Sequence, residues 1–221
     1  TFGATGDSVA ISGDSLNLNT LQDAGGNTVF VSDGSGTITS QGLPGAMILI
    51  STQTASGAAS IEFKSNIDST YDVYIFKFIN INPATDKTFQ MQASTDGGTT
   101  YGVTQTNTFW ESIHTEAGSG SAAYRTDYDQ AQTTVFFSIG PDVGSAADEN
   151  LCGELHLFAP SSTTYVKHYY VRNQEYFYTD ASLETYVAGY FNTTSAIDAV
   201  KFQPASGNFD ATIALYGISK S

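Results

Sequence analysis

The feature that most constrains the fold of this chain is a twelve-residue stretch, YDVYIFKFININ, from Tyr71 to Asn82. In an extended strand one face is aromatic and the other aliphatic, with Tyr74, Phe76 and Phe78 on the first and Val73, Ile75, Ile79 and Ile81 on the second. A strand that is apolar on both faces needs cover on both faces. We therefore predict that this stretch is a central strand of a β-sandwich.

Further strand signals recur along the chain at the spacing of a sandwich or a barrel. Asp96-Gly97 marks a tight hairpin, because glycine accepts the positive φ of such a turn. No segment shows an apolar period of 3.6 residues, so we expect no long helix, and long loops are expected at residues 116–132 and 140–150. The other predicted strands are residues 47–52, 60–64, 88–94, 108–115, 133–139, 151–158, 165–172, 184–191, 199–203 and 211–218.

The first 45 residues differ in kind from the rest. They hold short β-like phrases punctuated by glycine and aspartate, and Gly6-Asp7-Ser8 recurs as Gly13-Asp14-Ser15. Such phrases are too poor in apolar area to form a core alone. Two interpretations stand side by side: a flexible leader, or a segment that intertwines with identical segments of neighbouring subunits. A boundary at Gly42–Gly45 divides the chain into residues 1–45 and a sandwich domain, 46–221.

The formal net charge of −14 restricts the partners of the chain. Nucleic-acid phosphates and anionic lipids would repel it, so neither is expected as a partner. No run of about 18 apolar residues occurs, and no membrane insertion is predicted. Acidity keeps a protein soluble, and it also suits life outside a cell in salty or calcium-containing water.

The sequence contains few candidates for catalysis or metal binding. The single cysteine, Cys152, excludes an intrachain disulfide and is expected as a small buried hydrophobe. The three histidines show no metal-ligand spacing. The many glutamates near strands include no marked catalytic pair, and no GxSxG turn occurs, so no enzyme activity is predicted. No cofactor is expected, although calcium remains open at Asp33-Gly34, Asp96-Gly97, Asp127–Asp129 and Asp148–Glu149.

Aromatic density offers a better indication of function, especially between Tyr165 and Phe191. Tyrosine carries a hydroxyl that needs a partner, so not all of these rings can be core. Those in strands are interpreted as lining sheet faces or subunit seams. Aromatic residues beside aspartate and threonine in loops are typical of sugar-binding or protein-binding surfaces. The predicted binding residues are Trp110, Tyr124, Asp127, Tyr128, Tyr176 and Tyr178.

Several phrases together are similar to a family of structural proteins from tailed bacteriophages, above all marine ones. They are IDSTYDVYIF (67–76), PSSTTYVKH (160–168), YFNTTSAIDAVKF (190–202) and SGNFDATIALYGI (206–218). The resemblance covers nearly all of residues 46–218. It implies a jelly-roll-like β-sandwich exposed on a virion assembled in the host cytoplasm, and it carries no catalytic residues.

The resemblance implies a tail-fibre or appendage protein that touches the host surface, with glycans as the candidate ligand. A homotrimer is expected, because a threefold bundle would bury the weak apolar faces of residues 1–45, which would also contact other virion proteins. One alternative is a capsid-decorating protein or head fibre without receptor binding. Another is a polysaccharide-degrading enzyme, which would need two facing carboxylates.

Overall fold

The computed structural model describes residues 20–22, 24–26, 28–32, 38–40 and 47–220. The chain divides into two compact units, Thr1–Pro44 and Gly45–Lys220. This division falls at the Gly42–Gly45 stretch that marks a boundary in the sequence. The repeated Gly-Asp-Ser phrases at 6–8 and 13–15 lie outside the described residues.

The described part of the N-terminal unit is a small antiparallel sheet. Its strands are β1 (Thr20–Gln22), β2 (Thr28–Ser32) and β3 (Ile38–Ser40), hydrogen-bonded in the order β1-β2-β3. Strands β2 and β3 lie in the β-like phrase GNTVFVSDGSGTITS (26–40), whereas β1 lies outside the phrases identified in the sequence. Whether they pair with neighbouring subunits stays a prediction.

The C-terminal unit contains thirteen strands, and no helix occurs anywhere in the described residues. The predicted all-β, sandwich-like fold is thereby confirmed. The strands are β4 (Met47–Ala58), β5 (Ile61–Phe63), β6 (Val73–Pro83), β7 (Lys87–Ser94), β8 (Gln105–Thr115), β9 (Gly120–Tyr124), β10 (Gln130–Thr133), β11 (Phe137–Val143), β12 (Leu151–Phe158), β13 (Lys167–Phe177), β14 (Ala181–Phe191), β15 (Ala199–Pro204) and β16 (Phe209–Ile218).

These strands form two sheets, in which all neighbouring strands pair antiparallel. The larger one, here called the front sheet, has the order β4-β16-β6-β12-β13-β14-β8, with β9 and β10 both paired to β8. The smaller one, the back sheet, has the order β11-β7-β15-β5. The two sheets are joined where Val143 of β11 pairs with Phe177 of β13.

A cluster of phenylalanines fills the space between the two sheets. Phe202 of the back sheet lies with its ring centroid 5.2 Å from Phe76 and 5.3 Å from Phe78, both on β6 of the front sheet. Phe63 and Phe89, from β5 and β7, complete the cluster at 6.3 and 6.0 Å from Phe202. Most of these contacts are edge-to-face, a favoured geometry for aromatic pairs.

Strand β6 lies between β16 and β12, so its predicted central position is correct. Phe76 and Phe78 face the core, but the predicted division of faces fails beyond Phe78. The register slips near Asn80, whose φ is 51°, and this bulge turns Ile81 into the core. The outer face is covered only in part, because Ile75 is buried whereas Ile79 is 45% exposed.

Each strand predicted after residue 46 overlaps an observed strand, although several bounds differ, and two strands were missed. Strands β9 and β10 lie within the region 116–132 that was expected to be a loop. They carry small and polar residues that are mostly exposed, so no apolar alternation marks them. Strand β11 also runs on to Val143, inside the second expected loop. Strands β9 and β10 form because they pair with β8, and a pattern within one segment of the sequence does not reveal such pairing.

Candidate functional site

The outer face of the front sheet carries a continuous row of six large side chains, here called the cross-strand row. Each member is the register partner of the next, across six neighbouring strands. In order the row is Lys77 (β6), Glu154 (β12), Arg172 (β13), Tyr186 (β14), Trp110 (β8) and Tyr124 (β9). One half of the row is therefore charged and the other half aromatic.

Alternation of buried and exposed residues along β13, β14 and β8 places their members of the row on the outside. Arg172 follows Val171, and Tyr186 precedes Val187; both valines are 1% exposed and point into the core. Trp110 likewise follows the fully buried Phe109. Because successive side chains of a strand point to opposite faces, burial of the apolar residues fixes the row in solvent. Trp110 is 52% exposed, although it is the only tryptophan of the chain.

Each charged side chain of the row forms an ion pair, either within the row or with the neighbouring Glu184. Lys77 forms an ion pair with Glu154, and His156 Nε2 lies 2.9 Å from the other carboxylate oxygen of Glu154. Arg172 binds Glu184 through Nε at 2.7 Å and through Nη2 at 2.6 Å. The hydrogen bond from Lys77 lowers the pKa of Glu154. Hydrogen bonds from Tyr186 and then Arg172 lower the pKa of Glu184, so both carboxylates are held in their charged form.

The aromatic half of the row forms a broad ring surface. Trp110 and Tyr124 pack edge to face with centroids 5.5 Å apart, and the Tyr124 hydroxyl donates to Asp129 Oδ2 at 2.6 Å. The guanidinium of Arg172 lies 5.5 Å from the ring centre of Tyr186, a cation–π distance. A shallow apolar depression of about 290 Å³ lies between Trp110, Tyr170 and Tyr186. The rings are held in place and still reach solvent.

Beside the row, Tyr170 stacks on His156 with centroids 4.5 Å apart and an interplanar angle of 16°. Phe158 closes this stack at 5.7 Å from Tyr170. His156 and Tyr170 are register partners on β12 and β13, two positions along from the pair Glu154–Arg172. The stack therefore extends the aromatic surface along the charged half of the row.

A groove of about 880 Å³ runs over the other side of the row. It crosses the front sheet from Lys77 on β6 to Ser121 on β9 and is lined mainly by polar side chains, among them His114, Cys152, Gln174, Ser182 and Glu184. A second depression of about 290 Å³ shares His114, Gln174 and Ser182 with it and ends at Tyr176. The groove and the row form one surface on the centres of the strands. Recognition was expected instead in the loops at the strand ends.

The structure separates the six binding residues predicted from the sequence. Trp110 and Tyr124 lie together in the row, and Tyr176 lines the second depression beside the groove. Tyr178, 47% exposed, packs on Phe177 in the turn after β13, and Asp127 is paired with Arg125. The loop placement is wrong for Tyr124 and Tyr176, which belong to β9 and β13.

Tyr128 is half-buried and packs against the core, outside the row and the groove. Its ring lies 5.1 Å from Phe109, and its hydroxyl donates to Asp142 at 3.2 Å. Burial and the nearby Asp142 raise its pKa to about 12. Arg125 covers the other face of the ring at 4.8 Å. The Tyr128 hydroxyl, which suggested a role in binding, already has a hydrogen-bond partner in Asp142.

Sequence reasoning missed most of the row. Lys77 and Arg172 were not considered, and Glu154 was considered only among several glutamates near strands that included no marked catalytic pair. Tyr170 and Tyr186 were assigned to sheet faces or subunit seams, and both lie on the outer face of the front sheet. One signal in the sequence could have identified the row residues: they alternate with apolar residues that a strand would bury on its other face. Cys152 was expected to be buried, yet it is half-buried and lines the groove, with its sulfur 3.4 Å from the amide nitrogen of Asn80.

Beneath the row, the inner face of the front sheet carries an unusual polar layer. Glu111, Thr185 and Asn173 are consecutive register partners, and Glu175 follows on β13. Glu111 is paired with Arg125 at 2.5 Å. Glu175 is fully buried, and neither of its carboxylate oxygens has a hydrogen-bond partner among the described residues. Burial first, and then the charges of Asp142 and Glu111, raise the pKa of Glu175 well above its usual range.

The described residues contain no cluster of histidine, cysteine or carboxylate side chains able to hold a metal ion. Of the proposed calcium positions, Asp96 accepts hydrogen bonds from Ser94, Thr99 and Thr100 in a closed turn. Asp33-Gly34 lies outside the described residues. Within the part of the chain that is described, no helix is suited to crossing a membrane.

Comparison of the chain with models of protein families, with curated proteins and with solved structures finds no match.

Proposed function

We propose that this protein is a bacteriophage virion structural protein whose sandwich contacts sugars of the host cell surface. The observation that carries the proposal is the cross-strand row, where four exposed aromatic or cationic side chains adjoin a polar groove on one sheet face. Contact occurs through this face of the front sheet. The protein acts by binding and carries out no reaction.

The chemistry of the row fits a sugar better than a protein partner. A sugar ring offers an apolar C–H face and a rim of hydroxyls. Trp110 and Tyr186 provide flat apolar surfaces for the first, and both are about half exposed. The ion-paired groups of Glu154, Arg172 and Glu184 provide fixed donors and acceptors for the second.

The electrostatics of the groove favour binding over cleavage. Glycoside hydrolysis needs one carboxylic acid that holds its proton near neutral pH. Both groove carboxylates, Glu154 and Glu184, have lowered pKa values because cations or hydroxyls donate to them. Glu175 has a raised pKa, but it is fully buried on the inner face of the sheet. The polysaccharide-degrading alternative is therefore not the one we propose.

The virion setting is supported by the resemblance of residues 67–76, 160–168, 190–202 and 206–218 to phage structural proteins, and by that resemblance alone. In this setting the first 45 residues join the protein to other virion proteins and to its own copies. We expect a homotrimer, with a light-scattering mass about three times the 23.5 kDa of one chain. A mass of one chain would refute the trimer.

Binding of the labelled full chain to a panel of immobilised bacterial surface polysaccharides tests the proposal. We expect binding to at least one of them, and a loss of about tenfold or more for Trp110→Ala, since truncation of a central aromatic anchor commonly costs over 1 kcal/mol. Tyr165→Ala is the matched control, because Tyr165 is 72% exposed and lies outside the row and groove.

The alternative without receptor binding, a capsid-decorating protein or head fibre, makes the opposite prediction. It expects no glycan binding and a position over the head. Gold-labelled antibody against the chain, applied to particles of the virus that encodes it, separates the two. Label on tail appendages supports a role in host attachment. Label restricted to the head, together with no binding to any polysaccharide of the panel, refutes that role.

A further inference from the structure

We infer that the groove and the cross-strand row take an extended, electrically neutral oligosaccharide, and that they exclude acidic sugars. This inference rests on the proposed sugar-binding function and adds the chemical class of the ligand. Three observations carry it: the pairing of every charge of the row, the position of the other cations of the chain, and the number of strands that the site crosses.

The charges at the site cancel each other. The cations of the row are Lys77 and Arg172, and each is paired with a groove carboxylate, Glu154 or Glu184. An acidic sugar approaching either cation would meet the carboxylate already bound to it. Like charges in contact are costly where solvent is displaced, so such a ligand is rejected. An amino sugar finds no unpaired carboxylate in the row either.

No other lysine or arginine is available to bind an acidic ligand. The chain has only eight lysines and arginines. Four of the remaining six are paired elsewhere: Lys64 and Lys201 with Glu62, Arg125 with Glu111, and Lys220 with Asp72. Lys167 is fully buried, where its ammonium donates to the backbone carbonyls of residues 165 and 193. Lys87 lies on β7 of the back sheet.

The paired charges remain useful to a neutral ligand. The Arg172 side chain is 63% exposed although it is bound to Glu184. A guanidinium has five N–H donors, and the two contacts to Glu184 use only part of them. The remaining donors and the exposed carboxylate oxygens can meet sugar hydroxyls in charge-assisted hydrogen bonds. Ion pairing fixes their directions before the ligand arrives.

The length of the site sets the size of the ligand. The row crosses six strands, which at about 4.8 Å between neighbours spans roughly 24 Å. A single sugar ring covers only a fraction of that distance. The aromatic half can stack one or more rings while the charged half binds the hydroxyls of the next ones. The ligand class is therefore an oligosaccharide or a polymer segment.

The test is a binding panel made of charge-matched pairs. Each pair shares one backbone, such as a galacturonan and its full methyl ester, or a β-1,4-glucan and its 6-carboxylated form. Neutral bacterial polysaccharides and acidic ones complete the panel. We expect that the bound members are neutral, that acidic counterparts bind at least about tenfold more weakly, and that neutral binding changes little between about 50 and 500 mM NaCl.

Two results overturn the inference in different ways. Preferential binding of an acidic or amino-bearing member refutes the ligand class and leaves the sugar-binding function standing. Absence of binding to every member refutes the function and the class together.

Variants that remove the carboxylates paired with Lys77 and Arg172 provide an independent test. Glu154→Gln combined with Glu184→Gln leaves Lys77 and Arg172 unpaired, and we expect it to gain salt-dependent affinity for the acidic members. Glu62→Gln is the matched control, because it frees Lys64 and Lys201 outside the row and groove. Thermal unfolding confirms that each variant folds. A folded double variant that still rejects acidic members would show that carboxylate pairing does not determine selectivity.

Discussion

Glu175 makes the stability of this protein depend on pH in a direction that can be tested with one substitution, Glu175→Gln. The carboxyl is fully buried beneath the row and is influenced by the negative charges of Asp142 and Glu111. Burial raises its folded-state pKa well above the unfolded value. The stability that a neutral Glu175 contributes is therefore fully present below the unfolded pKa, and it is lost as pH rises towards the folded pKa.

The magnitude follows from proton linkage. Between the two pKa values the folded state holds one proton that the unfolded state has released, so the free energy of unfolding falls by about 1.4 kcal/mol for each pH unit. In a domain of this size that corresponds to roughly 3–6 °C in the unfolding midpoint per pH unit. The amide introduced by Glu175→Gln cannot ionise, so the variant loses this component while keeping the shape of the side chain.

The assay is thermal unfolding of the wild type and Glu175→Gln across about pH 5–8, reported as the difference between the two midpoints so that other titrating groups cancel. We expect the variant to gain stability over the wild type steadily as pH rises. Glu116→Gln, an exposed glutamate in the turn between β8 and β9, is the control and should show no such trend. A difference for Glu175→Gln that stays constant with pH would refute the protonated, buried carboxyl.

Three further predictions concern the core, the sheet and the groove. Phe202→Ala removes the ring shared by both sheets and should lower the free energy of unfolding by about 3–5 kcal/mol in urea titration; a loss under about 1 kcal/mol would mean that the sheets do not pack through this ring. Gly153→Ala should cost about 1–3 kcal/mol in the same titration, because the added Cβ would collide with Asn173 Oδ1 and with the backbone oxygen of Arg172; unchanged stability would contradict this close approach. The Cys152 thiol, half-buried in the groove, should react slowly with iodoacetamide in the folded protein, and more slowly still when a bound oligosaccharide fills the groove; protection that is the same with and without ligand would place the ligand elsewhere.

The sequence was sufficient for the fold because the core strands carry a clear apolar pattern. Strand β6 alternates aromatic with aliphatic or charged residues, and strand β15, which packs against it, contributes Phe202. Burial of Phe76, Phe78 and Phe202 determines which faces point inward. The one error within β6 came from the bulge at Asn80, since a shift of one residue exchanges the two faces and brings Ile81 inside. A local backbone irregularity of this kind leaves no hydrophobic pattern to read.

The site could not be predicted in the same way, because the row is a product of register. Lys77 and Arg172 are far apart in the chain, yet only Glu154 separates them on the sheet. No local spacing contains that information. Trp110 and Tyr124 were identified because aromatic side chains beside polar and acidic residues indicate a binding surface, and both are exposed.

The cross-strand row lies within strands and not in loops, and this position limits how its specificity can change. Insertion or deletion of one residue within such a strand would turn every following side chain to the opposite face and expose the core. New specificity is therefore expected to arise by substitution on this surface, for example at the six row positions, whose side chains lie on the outer face of the sheet. For protein engineering, the row is a compact set of positions for a combinatorial library on an unchanged sheet. The native residues already divide the row into a charged half and an aromatic half, and the two halves can be varied separately.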